Sequence, residues 1–401
     1  METSTKIIQN VEQAKTQFEQ RIGNSLDLLV TSPGRINIIG EHVDYNLGVS
    51  MPSAVNRWVF FGFKMQDAGS ELKVNLISYN YDEETSITKF EGRKEKKWLN
   101  LMTGILDRLN QLKGPLKGEF TCIFGGNLPM GKGMSSSAAL CVGFAYGLER
   151  LLNLGLSRQE LALVGQWAEH NYILKNVGLL DQRAILFSKA DHLTLLDFKK
   201  ESYHNFKLGI KFTVALVDSS EDHEHVDEEY NQRRKNCSEC EAALGKKLID
   251  SSLQELEVAK EQGLSELAYK RGRYFLEEVL RVEQMEKALE EGDKDTIRDL
   301  MYKTHHGLSK EYEVSTENLD FIVEASKSIK GVLGARVMGG GFGGFVITLL
   351  EPGTENNFIQ EMKKTVEENR GYNPEIIIAE ISDGVHAEFD NTGYNGAVDD
   401  Y

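Results

Sequence analysis

A chain of 401 residues, 40% hydrophobic and 27% charged, has the composition of an ordinary folded protein and is too long for one small core, so two domains are expected. Its formal net charge of −16 argues against a nucleic-acid or anionic-membrane surface, yet leaves room for a local basic pocket. No apolar run approaches the roughly 20 residues that span a bilayer, the N-terminus lacks the order of a secretory signal, and four cysteines make no disulfide framework. A reduced, cytoplasmic enzyme is expected.

Residues 5–23 carry helical spacing through Ile8, Val11, Ala14 and Phe18. Leu28–Thr31 begins a strand that runs into the glycine-punctuated stretch Ser32–Gly48. Arg35, Glu41, His42, Asp44 and Asn46 crowd this stretch. Such a density of donors and acceptors suits a polyhydroxylated small molecule, because each sugar hydroxyl wants both. A metal reading of Glu-His-x-Asp is the rival, although its spacing fits neither zinc nor calcium patterns. Val55–Met65 and Leu72–Tyr79 alternate like antiparallel strands, Trp98–Leu112 reads as a helix, and Phe120–Phe124 as a strand.

That strand delivers the chain to Gly126–Leu140, where Gly131, Gly133 and the run Ser135, Ser136, Ser137 lead into a helix marked by Leu140, Phe144 and Leu148. A loop without Cβ atoms lets backbone N–H groups converge, and the helix N-terminus adds its positive dipole end. This is a phosphate cradle in physical terms, although a flexible linker is the plainer reading of these residues alone. It is neither the P-loop pattern nor the dinucleotide fingerprint. A second helical pattern, Ser157–Ile173, carries Glu169, and Gly178–Gln182 carries Asp181. The apolar neighbours of both carboxylates favour buried, working groups over solvated ones.

Phe206–Asp218 reads as one strand, and residues 220–310 turn charged and helical, which puts the domain junction near 200–215. Cys237 and Cys240 fall inside the helical run Tyr230–Leu244 with no second pair, so a metal or redox role is not expected. Gly334–Gly344 holds six glycines in eleven positions with one arginine, a sign of backbone closing against a ligand. Residues 386–401 are acidic and turn-rich, expected to form a frayed tail.

Three of these motifs in this order resemble the galactokinases of the GHMP kinase superfamily. Pro33–Gly48 looks like the galactokinase signature, Leu128–Ala139 like the superfamily's phosphate loop, and Gly334–Gly344 like its third motif. Matches between them extend the resemblance over roughly residues 26–385. It implies an α+β, two-domain GHMP kinase fold, with a ribosomal-protein-S5-like N-terminal domain over 1–205 and an α+β C-terminal domain over 206–385. The implied activity is ATP-dependent phosphorylation of a sugar's anomeric hydroxyl, with galactose first, a related sugar (N-acetylgalactosamine, L-arabinose or another aldose) as the alternative, and a catalytically silent sugar and ATP sensor as the remaining one. Carried over by position, Asp181 and Arg35 are the implied catalytic pair. Glu41, His42, Asp44, Gly178, Tyr230 and Gly341 become sugar-binding positions. Gly131, Lys132, Gly133, Met134, Ser135, Ser136, Ser137 and Ala138 form the ATP loop, and Ser136 or a neighbour, with Glu169, holds Mg2+. Small-molecule partners only, and a monomer or weak dimer, are expected.

The chain departs from the family pattern at four places. Lys132 replaces a small residue, Cys141 a common glutamate, Arg183 an aromatic or small residue, and Asp222-His223 a basic pair. The paired gain and loss suggest that Lys132 supplies the missing cation beside the ATP phosphates.

Overall fold

The computed structural model describes residues 6–90, 95–221 and 226–396. In chain order it places helix α1 at Val11–Ile22, then strands β1 (Leu28–Asn37), β2 (Val49–Ser50), β3 (Pro52–Glu71), β4 (Lys73–Ser78) and β5 (Glu83–Ile87). Helix α2 (Lys97–Lys113), strand β6 (Lys117–Gly126) and helices α3 (Ser136–Leu152), α4 (Arg158–Tyr172) and α5 (Leu180–Phe187) follow. Strands β7 (His192–Asp197), β8 (Ser202–Lys207) and β9 (Thr213–Asp218) precede helices α6 (Val226–Leu244), α7 (Leu253–Glu261), α8 (Glu266–Glu291), α9 (Lys294–His306) and α10 (Glu317–Ser326). The described chain closes with β10 (Val332–Val337), β11 (Phe345–Leu350), α11 (Glu355–Arg370), β12 (Ile376–Ala379) and β13 (His386–Asp390).

Six strands form one sheet in the order β13-β1-β3-β6-β4-β5, in which only β4 and β6 run parallel. Four more form an antiparallel sheet, β10-β11-β9-β12, and β2-β7-β8 make a small third one. Alternation in the second sheet sorts its side chains between two cores. Val214, Leu216, Ile347 and Leu349 join the large core that also holds the first sheet and its helices. Ala215, Val217, Val346 and Leu350 face α10 and α11 in the other. The two domains therefore share apolar packing, so neither face of the second sheet is free to separate without exposing it.

Helix α3 is held against the first sheet by two glycines one turn apart. A Cβ at Gly143 would stand 2.3 Å from a ring carbon of Phe61, and one at Gly147 would stand 2.2 Å from Phe63. Their absence lets the β3 rings lie flat against the helix, with Phe63 and Phe144 stacked at 6.2 Å. The Ser32 hydroxyl of β1 donates to the Ala139 carbonyl at 2.8 Å, which fixes the first turn of α3 beside β1. The start of α3, where the phosphate loop ends, is thus set by the packing of the whole helix.

Three expectations change. Helix α1 starts at Val11, because Asn10 caps it by accepting from the Gln13 amide at 3.0 Å. Phe206–Asp218 is two strands, broken where the chain turns against α8 and Gly209 donates to the Leu289 carbonyl. A Cβ there would meet the Glu290 carbonyl at 2.0 Å, so the bend depends on that glycine. Residues 386–396 are not a frayed tail: β13 pairs with β1, Thr31 donates to Glu388 at 2.6 Å, and Asp390 accepts from Arg150 at 2.6 Å. Backbone pairing and two side-chain anchors outweigh the acidic, turn-rich composition. Residues 397–401 and the Asp222-His223 departure lie outside the described residues.

Candidate active site

A cavity of about 650 Å3 opens between the two domains. Its walls come from every motif the sequence singles out: Arg35, Glu41, His42 and Asp44 from the signature, Gly131, Gly133 and Ser135 to Ser137 from the loop, Gly178 and Asp181 before and in α5, Tyr230 on α6, and Gly339 to Gly341. Lys97, Trp98 and Leu101 of α2 complete one wall.

Arg35 sits at the end of β1 and organises the loop. Its Nε donates to Asp181 Oδ1 at 2.8 Å, its Nη1 to the Gly133 carbonyl at 2.5 Å, and its backbone N–H to the Met134 carbonyl at 3.2 Å. One residue therefore fixes both the candidate base and the loop. Burial, the largest single influence, would raise the Asp181 carboxyl; Arg35, Ser135 and Lys175 together outweigh it and hold the pKa below its ordinary value. The loop needs unusual backbone: Gly131 and Gly133 have φ of 73° and 84°, and Ser135 adopts 57° directly before the helix.

The expected Ser136–Glu169 pair is not what the side chains make. Ser136 lines the cavity, but Ser137 Oγ donates to Glu169 Oε1 at 2.7 Å, and the amide of Gln182 donates to the other carboxylate oxygen. Glu169 is buried, which raises its pKa. A hydroxyl and one carboxylate beside a phosphate loop still suit Mg2+, which takes few protein oxygens and keeps waters and phosphates.

The sugar-signature residues are held by the C-terminal domain. Glu41 Oε1 accepts from the Gly339 amide at 2.7 Å and from Arg336 Nη1 and Nη2 at 3.2 Å. Arg336, fully buried, also donates to the Ile38 carbonyl at 2.8 Å and to Asn37. The amide of Gly40 donates to Glu278 at 2.8 Å. A Cβ on Gly341 (φ 76°) would meet the Val314 carbonyl at 2.2 Å, so the glycine motif closes on the cavity only as glycine.

Both ring nitrogens of His42 are already occupied. Nε2 lies 3.1 Å from the Gly340 carbonyl, which can only accept, so Nε2 carries the hydrogen and Nδ1 accepts from the Tyr45 hydroxyl at 3.0 Å. Tyr45 in turn accepts from Tyr312 at 2.8 Å, and Tyr312 from the Cys237 thiol at 3.4 Å. Burial pushes the His42 pKa down to about 4, so the ring is neutral. His42 thus ties the Pro33–Gly48 motif to the glycine motif at one end of the cavity. Cys237 closes this chain of bonds, and no cluster of His, Cys, Asp and Glu fit to hold a metal occurs among the described residues.

Asp44 shares the cavity with Asp181. Burial, reinforced by the Asp181 charge, pushes its pKa up to about 6. It is seated against Gly178, where a Cβ would lie 1.6 Å from Asp44 Oδ2. Burial, with Asp44 nearby, raises Tyr230 well above its usual value, keeping the phenol a donor.

Lys132 does not point at the cavity's carboxylates. Its ammonium bridges Asp218 at 2.7 Å and Glu375 at 2.6 Å, across to the second sheet. Partial burial works against that charge, but the two carboxylates outweigh it and raise its pKa. Arg183 lies 5.5 Å over the Phe198 ring, and Cys141 is buried in the core of α3. Tyr45, Tyr312, Arg336 and Glu278 were not picked out as site residues by the sequence. Tyr45 lay inside the signature and Tyr312 in a matching segment, and Arg336 stood out as the lone arginine among the glycines.

The galactokinase galactose-binding signature matches residues 16–64, the GHMP kinases N terminal domain residues 100–189, and the GHMP kinases C terminal residues 285–368. The galactokinase of Thermotoga petrophila is 37% identical over 357 residues, covering 89% of this chain and 99% of that protein. The galactokinase of Glaesserella parasuis serovar 5 is 33% identical over 383 residues, 94% of this chain and 98% of its own. The crystal structure of Lactococcus lactis galactokinase complexed with galactose superimposes with a TM-score of 0.87 at 27% identity, covering 94% of this chain and 99% of that one. The mevalonate kinase of Methanococcus jannaschii shares the fold, with a TM-score of 0.61 at 17% identity.

Proposed function

Because the chain belongs to the galactokinase family of GHMP kinases, we propose that it transfers the γ-phosphoryl group of ATP to the anomeric hydroxyl of galactose, giving galactose 1-phosphate and ADP. The observation that carries this reading is the Arg35–Asp181 pair, which joins an ionised carboxylate to the phosphate loop inside one cavity.

Phosphoryl transfer asks for in-line positioning and for neutralised phosphate charge more than for covalent help. The anomeric oxygen forms a bond to the γ-phosphorus while the bond to the β–γ bridging oxygen breaks, and ADP leaves. The hydroxyl proton passes to an Asp181 carboxylate oxygen late in transfer. Arg35 keeps that carboxylate ionised before transfer and offsets charge near the loop. Loop amides and the start of α3 face the phosphates. Mg2+, held through Ser136 or Ser137 and Glu169, would neutralise phosphate charge. Asp44 and the second oxygen of Glu41 accept from sugar hydroxyls, Tyr230 donates, and Gly178 and Gly341 let backbone approach. His42 orients the signature through its two filled nitrogens.

The test is ADP release by the purified protein with ATP, magnesium and a panel of aldoses. Turnover is expected to be best with galactose and lost in Asp181→Ala. Preference for another aldose overturns the substrate, and sugar and ATP binding without turnover overturns the enzyme.

A further inference from the structure

The two cations nearest the phosphate loop are already committed. Arg35 is held by Asp181 and the Gly133 carbonyl, and Lys132 by Asp218 and Glu375. Neither meets a nucleotide phosphate without giving up a pair. Lys97 and Lys175 also line the cavity, and the side chain of neither has a hydrogen-bond or ion-pair partner among the described residues. They serve different ends of it. Lys97 opens α2 beside Trp98 and Leu101, whereas the Lys175 charge reaches both Asp181 and Glu169, the groups at which transfer takes place.

The backbone that carries Lys175 is pinned from several sides. Its amide donates to the Glu169 carbonyl at 3.1 Å, beyond the end of α4, and its carbonyl accepts from Val177 at 3.0 Å. The Val177 carbonyl accepts from Gln166 at 3.1 Å and from His170 Nε2 at 2.8 Å. Asn176 accepts from Arg234 of α6 at 2.7 Å, and Leu174 holds a left-handed φ of 57°. The side chain itself is exposed. A fixed backbone under an uncommitted ammonium is the arrangement that lets a lysine meet a phosphate as a point charge with little ordering cost.

We propose that Lys175 meets the γ-phosphate of ATP and is a further catalytic residue of this site, placed in the turn from α4 to α5 on the wall of the cavity that Asp181 also lines. The proposal rests on the phosphoryl-transfer reading. A γ-phosphate arriving there meets the Asp181 carboxylate, whose charge Arg35 helps to compensate. Lys175 compensates the incoming charge and keeps doing so as it spreads over the equatorial oxygens during transfer. It takes over the part the sequence assigned to Lys132.

The test is calorimetric titration of wild type, Lys175→Met and Lys175→Arg with ATP and, separately, with ADP, alongside kinetics. Lys175→Met is expected to weaken ATP binding about 10-fold more than ADP binding and to lower kcat/KM for ATP about 10- to 100-fold. The KM for the sugar should hold within about threefold, and Lys175→Arg should restore part of the loss. Lys175 is exposed, so melting temperature should not move. Equal losses for ATP and ADP, or no loss for either, overturn the proposal. Failure of the wild type to phosphorylate galactose overturns the functional reading instead, and the two titrations still decide Lys175.

Discussion

Gly178 and Asp44 occupy space that no side chain could share: a Cβ on Gly178 would lie 1.6 Å from Asp44 Oδ2. The glycine therefore fixes the position of a cavity-lining carboxylate from outside the signature. Gly178→Ala should displace Asp44 and raise the KM for galactose at least about 10-fold, with ATP affinity within about threefold of wild type. A parallel loss of ATP affinity would mean that the substitution disturbs α5 as a whole.

Arg35→Met removes the largest of the influences that together outweigh burial at Asp181. The base then needs a higher pH to ionise, so the acid limb of kcat/KM against pH should move up by at least about one unit. At its new optimum kcat should remain down about 100-fold or more, because the loop anchor at Gly133 is lost as well. An unshifted acid limb would remove Asp181 from the role of base.

Asp44 and His42 make opposite contributions to stability in acid. Asp44 titrates at about 6 in the folded chain against an ordinary 3.8, so the folded state holds its proton more tightly and pays a penalty that grows as pH rises through this window. Asp44→Asn should stabilise the protein by up to about 3 kcal/mol at pH 7, with the gain vanishing near pH 4. His42 titrates at about 4 against an ordinary 6.5, so its share of stability is lost as pH falls between those values. In Asp44→Asn that loss stands uncompensated, and the acid limb of stability should steepen. Urea midpoints from pH 4 to 7.5 decide it; a constant offset from wild type contradicts the Asp44 assignment.

Lys132 ties the loop to strands β9 and β12 through two carboxylates, one of them half-exposed. Lys132→Met should cost about 1 kcal/mol in denaturant unfolding, a value that shrinks in high salt. Because the lysine pKa is raised by the pairing, its share of the stability is lost as pH rises through that raised value.

Gly147→Ala should destabilise by about 1–3 kcal/mol, because the added methyl meets the fully buried Phe63 ring at 2.2 Å. A neutral result would show that α3 can shift on β3 without cost.

Much of this site was legible in the sequence because its motifs are local. The signature, the loop and the glycine cluster each announce themselves through residue types that only a backbone contact or a polar ligand requires. The structure brings Arg35, Asp44, Gly178, Asp181 and Tyr230 to one cavity, as expected. What stayed hidden is what depends on distant partners. Nothing local says that Lys132 finds Asp218 and Glu375, that Ser137 rather than Ser136 reaches Glu169, or that both His42 nitrogens are used. The same reason explains the misread end of the chain: the composition of residues 386–390 is that of a tail, and only the unpaired edge of β1 makes them a strand.

That last pairing has a consequence for how the molecule comes into being. β1 carries Arg35 and lies between β3 and β13, so its hydrogen bonding is complete only when residues from the far end of the described sequence reach it. A ribosome releases the N-terminal domain long before that strand exists. The emerging domain must wait with that edge of β1 open, and folding is governed by contacts of very long sequence separation.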